Sequence, residues 1–245
     1  MKKIHVQISR HKWETLLALL PVAAAGVYRY GTEALIIVTI AVVSAQGFEW
    51  IVALLRKQLL EIRGGALITG GLVGLILPPS APLWAPVFGA VVGLALGKMA
   101  FGGRFKNIFN PAIVGIVALV ALFPGLFTGY GLGLDAVSGA SPVRMVLQMS
   151  PSLQEQLITL GTEQVGASIG ESSGGALLLG GFFLIIRRAI DWHVPAVLFA
   201  TVGLLSFLYG SDPLLQISSG GLFLCAFFMA TDIAISPHTQ LGKVI

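Results

Sequence analysis

The segment LDAVSGASPVR, residues 134–144, sets Asp135, Ser138 and Ser141 at three-residue spacing among small residues. On residue types alone it is a Ser/Gly turn behind an Asx-type cap. A second chemical candidate is Asp232, beside Thr231 in MATDIAIS. Carboxylates inside apolar runs are expensive and usually functional. Asp232 and Thr231 are therefore candidates for lining an ion path, with helix capping the competing role for Asp232. Glu14 and Glu49 lie close enough to the ends of such runs to be merely solvated. His5, His11, His193 and His238 fall at or beyond the ends of the apolar runs, without metal-ligand spacing, and read as interfacial. No metal site and no catalytic constellation is expected. The one cysteine, Cys225, excludes an intrachain disulfide and reads as a small core residue. NPA at 110–112 occurs once, whereas a water channel needs two such boxes, so Asn110 reads as the cap of a helix whose first residue is Pro111. Without a Walker motif or a dinucleotide loop, the chain cannot by itself oxidise NADH or hydrolyse ATP.

The elements that must position these residues are membrane helices. Of 245 residues 56% are hydrophobic and 11% charged, against about 25% charged in an ordinary soluble domain. The basic residues come in ones and twos between apolar runs and form no nucleic-acid face. Eight candidate spans lie at about 15–30, 34–55, 64–79, 82–101, 111–127, 174–188, 193–209 and 219–235. The third ends in LPPSAPLWAP and the eighth runs into MATDIAISP, so both break at membrane depth. Freed backbone groups there must be buried in protein or line a polar cavity. All but Arg29 and Arg144 of the 15 Lys and Arg fall on one side if the N-terminus is cytoplasmic. The loop 128–173, carrying Asp135, Glu155, Glu163 and Glu171, is then external. The whole chain, residues 1–245, reads as a single integral membrane domain.

The sequence also matches itself weakly. GGLVGLILPPSAP (70–82) resembles GGLFLCAFFMATD (220–232) five spans later, and GGALITGG (64–71) resembles GGALLLGG (174–181) three spans later. An odd number of crossings makes either pair an inverted repeat, a hallmark of transport folds. The five-span pairing is preferred because it matches the two broken helices. The expected fold is thus all-α and polytopic, with about eight transmembrane helices forming part of a five-plus-five inverted-repeat core whose third and eighth helices are broken.

LLALLPVAAAGVYRYG, LILPPSAPLWAPVFGA, FGGRFKNIFNPA, IGESSGGALLLGG, RRAIDWHVPAVLFATVGLLS, SGGLFLCAFFMATD and SPHTQLGK occur in this order along the chain. In them the sequence resembles the RnfD subunits of Rnf electron-transport complexes and, more distantly, the NqrB subunits of sodium-pumping NADH:quinone oxidoreductases. Members of that family carry Asp-x-x-Ser-Gly-Ala-Thr in the external loop, and a flavin transferase esterifies its threonine to the phosphate of FMN. The resemblance assigns those positions to Asp135, Ser138, Gly139, Ala140 and Ser141, with serine in place of threonine as the acceptor hydroxyl. Arg104, Phe105 and Lys106 replace part of the family's Gly-rich run, and Ile233 stands where the family prefers proline. Relatives continue through two further spans, so the C-terminus is expected to be truncated relative to the family.

The resemblance implies a membrane subunit of a redox-driven, ion-translocating oxidoreductase in the bacterial inner membrane, incomplete as a catalyst alone. It would carry covalent FMN on Ser141, with the inverted-repeat core housing Na+ or H+ movement or a second, non-covalent flavin. Other Rnf-type subunits, a flavin transferase and the lipid bilayer are the expected partners. The competing reading is a channel or transporter for a small solute lined by the two broken helices. Such a channel has no use for the flavin motif.

Overall fold

The computed structural model describes residues 2–57, 64–102, 107–127, 168–172, 174–210, 213–217, 220–232 and 235. Every regular element among them is helical. Helices α1 (Lys2–Tyr30) and α2 (Thr32–Leu55) form an antiparallel pair turned at Gly31, whose φ of 66° suits a residue without Cβ. Helix α1 begins well before the apolar run at Leu17, since neither proline nor glycine interrupts LysLysIleHisVal and the residues that follow. Among the described residues only α2 is long and apolar enough to cross a membrane unaided.

Shorter helices follow. Helix α3 (Gly65–Ile76) has 12 residues, about 18 Å of rise against a hydrocarbon core of about 30 Å. It stops earlier than the expected 64–79. Leu77 turns extended, with ψ at 148°, because the ring of Pro78 disfavours the helical conformation in the residue before it. Two tight turns, closed by Ala81 N–H to Pro78 O and Ala85 N–H to Pro82 O, carry the chain into α4 (Trp84–Leu94). That helix continues as a π-turn, Ala95–Met99. Helix α5 (Pro111–Leu122) leads to a 3-10 turn at Pro124–Leu126, and another 3-10 turn, Ile169–Ser172, precedes α6 (Gly174–Ile186). Then come α7 (His193–Leu208), the short α8 (Pro213–Ile217) and α9 (Gly220–Leu224), which runs on as a second π-turn, Cys225–Met229. Among the described residues of the eighth apolar run, the helix thus extends as far as Met229.

Helix α2 lies against α3 and α4, α4 against α5, and α1 against α6. Small residues permit the closest approaches: Cβ atoms on Gly93 and Gly115 would collide with the carbonyls of Pro111 and Gly89. The core gathers around the end of α3, where Leu72, Leu75, Leu77, Ile169, Leu177, Leu184 and Leu224 are all buried. Large apolar side chains face outward as well, Leu55 at 78% exposure and Phe207 at 71% among them. Contiguous apolar surface of this kind has no place in water. With the composition, it makes the protein a helical membrane protein.

Candidate functional site

The flavin-motif residues Asp135, Ser138, Gly139, Ala140 and Ser141 lie outside the described residues, as does most of the loop 128–173. The ion-path candidates are described. Thr231 and Asp232 follow the second π-turn after Ala230. The buried Thr231 hydroxyl donates to Phe227 O at 2.6 Å, and the Asp232 N–H reaches Met229 O at 3.4 Å. These bonds occupy carbonyls that have lost their helical partners where the helix gives out.

The fold brings His11, from the other end of the chain, towards Asp232. His11 on α1 lies within electrostatic reach of Asp232 and of Glu14, with a ring hydrogen bond to the Ala189 backbone. Burial pushes the His11 pKa below 6.5, and the Asp232 carboxylate, the Ala189 bond and Glu14 oppose that shift. Its Nδ1 is buried without a hydrogen-bond partner. Glu14 Oε1 accepts from Arg187 Nη2 at 3.1 Å, its side chain 8% exposed against 48% for the arginine. Next to this pair, Asp191 Oδ1 lies 2.6 Å from His193 Nδ1 at the start of α7. Arg188 adopts φ 55°, the left-handed turn that ends a helix, where its charge complements the helix dipole.

A second pair stands on the neighbouring helices. Lys98, within the first π-turn, donates to Glu49 Oε1 at 2.5 Å, both side chains 16% exposed. Gln46, one turn before Glu49 on α2, is buried with neither amide atom bonded, and Glu49 Oε2 is likewise unpartnered. The ammonium groups of Lys12 and Lys98 both approach Gly65 at the start of α3, 3.3 and 3.6 Å from where its Cβ would stand. Lys12, the neighbour of His11 in sequence, thus approaches the same start of α3 as Lys98.

Several expectations are corrected here. His11 sits inside α1, partly buried, and not at a helix end, because α1 extends beyond its apolar run and approaches the turn at Ala189. Glu14 and Glu49 are not merely solvated: each is largely buried and ion-paired. Cys225, expected in the core, is only partly buried.

Glu171 was readable only as a loop charge, yet it lies in the 3-10 turn at the end of α3, where burial raises its pKa above 4.5. Hydrogen bonding to Ser168 beside it opposes that shift without cancelling it. The only sequence sign was its position three residues ahead of a Gly-rich apolar run. No group of three or more metal-ligating side chains occurs among the described residues.

Asn110 caps α5 as expected, its Oδ1 accepting the Ala112 N–H at 2.9 Å with Pro111 at the first helical position. It does more besides. Its Nδ2 donates to Met229 O at 3.2 Å, tying α5 to the break that carries Asp232.

The profile of the NQR2, RnfD, RnfE family matches residues 3–245, nearly the entire chain. This chain belongs to that family. It is 35% identical to the D-type subunit of the proton-translocating ferredoxin:NAD(+) oxidoreductase complex of Clostridium ljungdahlii, over 97% of this chain and 78% of that protein. It is 37% identical to the D-type subunit of the Na(+)-translocating ferredoxin:NAD(+) oxidoreductase complex of Acetobacterium woodii, over 94% and 74%. A third relative, the D-type subunit of the ion-translocating oxidoreductase complex of Halorhodospira halophila, is 34% identical over 95% and 77%. The solute-channel reading has no support in these three relatives, all of them subunits of ion-translocating oxidoreductases.

Proposed function

We propose that this chain is the D-type membrane subunit of a redox-driven, cation-translocating oxidoreductase that couples electron transfer between ferredoxin and NAD+ to Na+ or H+ movement. The observation that carries this reading is the position of Asp232. A carboxylate just after a broken helix, within electrostatic reach of a partly buried histidine, provides a cation with oxygen ligands at membrane depth. Thr231 shapes the exit from the helix.

In this reading the eight apolar runs are crossings, and the two broken ones belong to a five-plus-five inverted repeat. The basic residues favour a cytoplasmic N-terminus and an external loop 128–173. The cell membrane of a bacterium is the location, and other subunits of the complex are the partners.

The external loop then carries FMN. Ser141 is the acceptor, its hydroxyl having the one group a phosphoester needs, and Gly139 and Ala140 leave room for the flavin transferase to bring a bulky pyrophosphate donor close. Asp135 and Ser138 complete the segment that the transferase reads. When attached, the flavin supplies exchange of one or two electrons, and the protein supplies position and electrostatics.

The test of the ion path uses the assembled complex in inverted membrane vesicles. Asp232→Asn removes the charge and keeps the shape; ferredoxin-dependent NAD+ reduction and the accompanying uptake of sodium or protons should fall about tenfold or more, the scale of losing a charged ligand. Wild-type uptake by a fully assembled Asp232→Asn complex would overturn the assignment.

A further inference from the structure

Asn110 and Pro111 stand side by side between the two π-turns. Pro111 is pressed against the first, since a Cβ on Gly97 would meet Pro111 Cα at 2.7 Å and Val114 Cγ2 at 3.3 Å. That turn carries Lys98, the partner of Glu49. Asn110 reaches the second turn: its Nδ2 donates to the carbonyl of Met229, the turn's last residue, 119 positions away in sequence and three before Asp232. Both Asn110 and Met229 are buried.

A π-turn moves the backbone bond from the fourth to the fifth residue, and such turns occur mostly as single-turn bulges within helices, frequently at functional sites. In the second turn Cys225 O accepts the Ala230 N–H at 2.8 Å in this wider register. Downstream, Phe227 O takes the Thr231 hydroxyl and Met229 O takes the Asn110 amide. The backbone leading to Asp232 is therefore held by one side chain of its own segment and one from α5. A helix cap needs only an acceptor, which Asn110 already supplies to Ala112. The donating arm is additional to the cap.

We propose that Asn110 is a positioning residue for the ion path. Its amide fixes the end of the second π-turn, and with it Thr231 and Asp232, in register with the first π-turn and its Lys98–Glu49 pair. The proposal rests on the assignment of Asp232 made above and adds what holds that carboxylate in place.

Two variants separate the arms. Asn110→Asp keeps a capping oxygen and cannot donate, and Asn110→Ser keeps a cap on a side chain too short to span to Met229. In vesicles holding the assembled complex, ferredoxin-dependent NAD+ reduction is titrated with NaCl at fixed pH, and with pH at fixed NaCl. Both variants should move one of these midpoints by a factor of about three or more, the range a lost neutral hydrogen bond produces. The maximal rate should stay within about twofold of wild type, since positioning alters occupancy of the path more than turnover at saturation.

Asp232→Asn is titrated alongside. If it shifts a midpoint while both Asn110 variants titrate as wild type, Asn110 is a cap alone and the proposal falls. If Asp232→Asn shifts neither midpoint, the path assignment falls and takes this proposal with it. Where a variant assembles poorly, Cys225 reports on the assembled fraction, because it opens the second π-turn and is the chain's one cysteine. Its alkylation by N-ethylmaleimide, followed by mass spectrometry of its peptide, should accelerate in Asn110→Asp. An unchanged alkylation rate overturns the proposal.

Discussion

The N–H of Ile169 donates to the carbonyl of Leu77 at 3.2 Å, joining the 3-10 turn before α6 to the point where α3 gives out. In hydrocarbon that carbonyl would cost several kcal/mol if left bare, so the turn acts as a plug for the broken helix. Gly170 makes the fit possible, lying against Leu75 of α3 and Leu224 of α9.

A methyl group at position 170 should therefore be felt. A Cβ would stand 2.9 Å from Leu75 Cβ, 3.0 Å from Leu224 Cδ1 and 3.2 Å from Leu75 O, and two of these are atoms that cannot swing away. Gly170→Ala should destabilise the protein by about 1–3 kcal/mol, the usual cost of overpacking. Thermal unfolding in detergent measures it, and a midpoint equal to wild type would show that the plug has slack.

The Glu14–Arg187 pair should respond asymmetrically. Glu14 is buried and Arg187 half-exposed. Arg187→Ala takes the guanidinium from a buried carboxylate, which costs about 3–5 kcal/mol at a buried site, whereas Glu14→Gln leaves a cation that can turn to water. Arg187→Ala should lower the unfolding midpoint more than Glu14→Gln does. The reverse order would mean that Arg187 does not support Glu14.

Stability should depend on pH through two groups of opposite sign. His11 has a folded pKa below 6.5, so the fold favours its neutral form; that contribution is complete above pH 6.5 and declines as pH falls towards the folded value. Glu171 has a folded pKa above 4.5, so the fold favours its protonated form, and stability declines as pH rises from 4.5 through the folded value. His11→Asn should flatten the acid limb of a plot of unfolding midpoint against pH, and Glu171→Gln the limb on the other side. An acid limb unchanged in His11→Asn would mean that another group sets it.

Parts of this fold were legible in the sequence and others were not, for physical reasons. The break after α3 could be read from Pro78 and Pro79, though not the earlier end of the helix at Ile76, and the cap of α5 from Asn110 before Pro111, because each is a local backbone constraint. The π-turns at Ala95–Met99 and Cys225–Met229 carry no such sign, since contacts with other helices select their register. Nor does local sequence reveal that Glu14 meets Arg187 or that Asn110 meets Met229, pairs separated by 173 and 119 residues. Asp232 stands out in the sequence because a carboxylate in an apolar run is conspicuous, whereas Glu171 is masked by the polar residues around it.

Covalent flavin on the external loop is tested most directly by mass spectrometry of the peptide containing Ser141, from protein produced together with an active flavin transferase. A phosphoester survives denaturation, so the wild-type peptide should carry the added mass of an FMN moiety. Ser141→Thr should retain it, Asp135→Ala should reduce it, and Ser141→Ala should abolish it, because no oxygen then remains to attack phosphorus. An unmodified wild-type peptide with the transferase shown to be active, or FMN still attached in the Ser141→Ala protein, would contradict the assignment of Ser141 as the flavin acceptor.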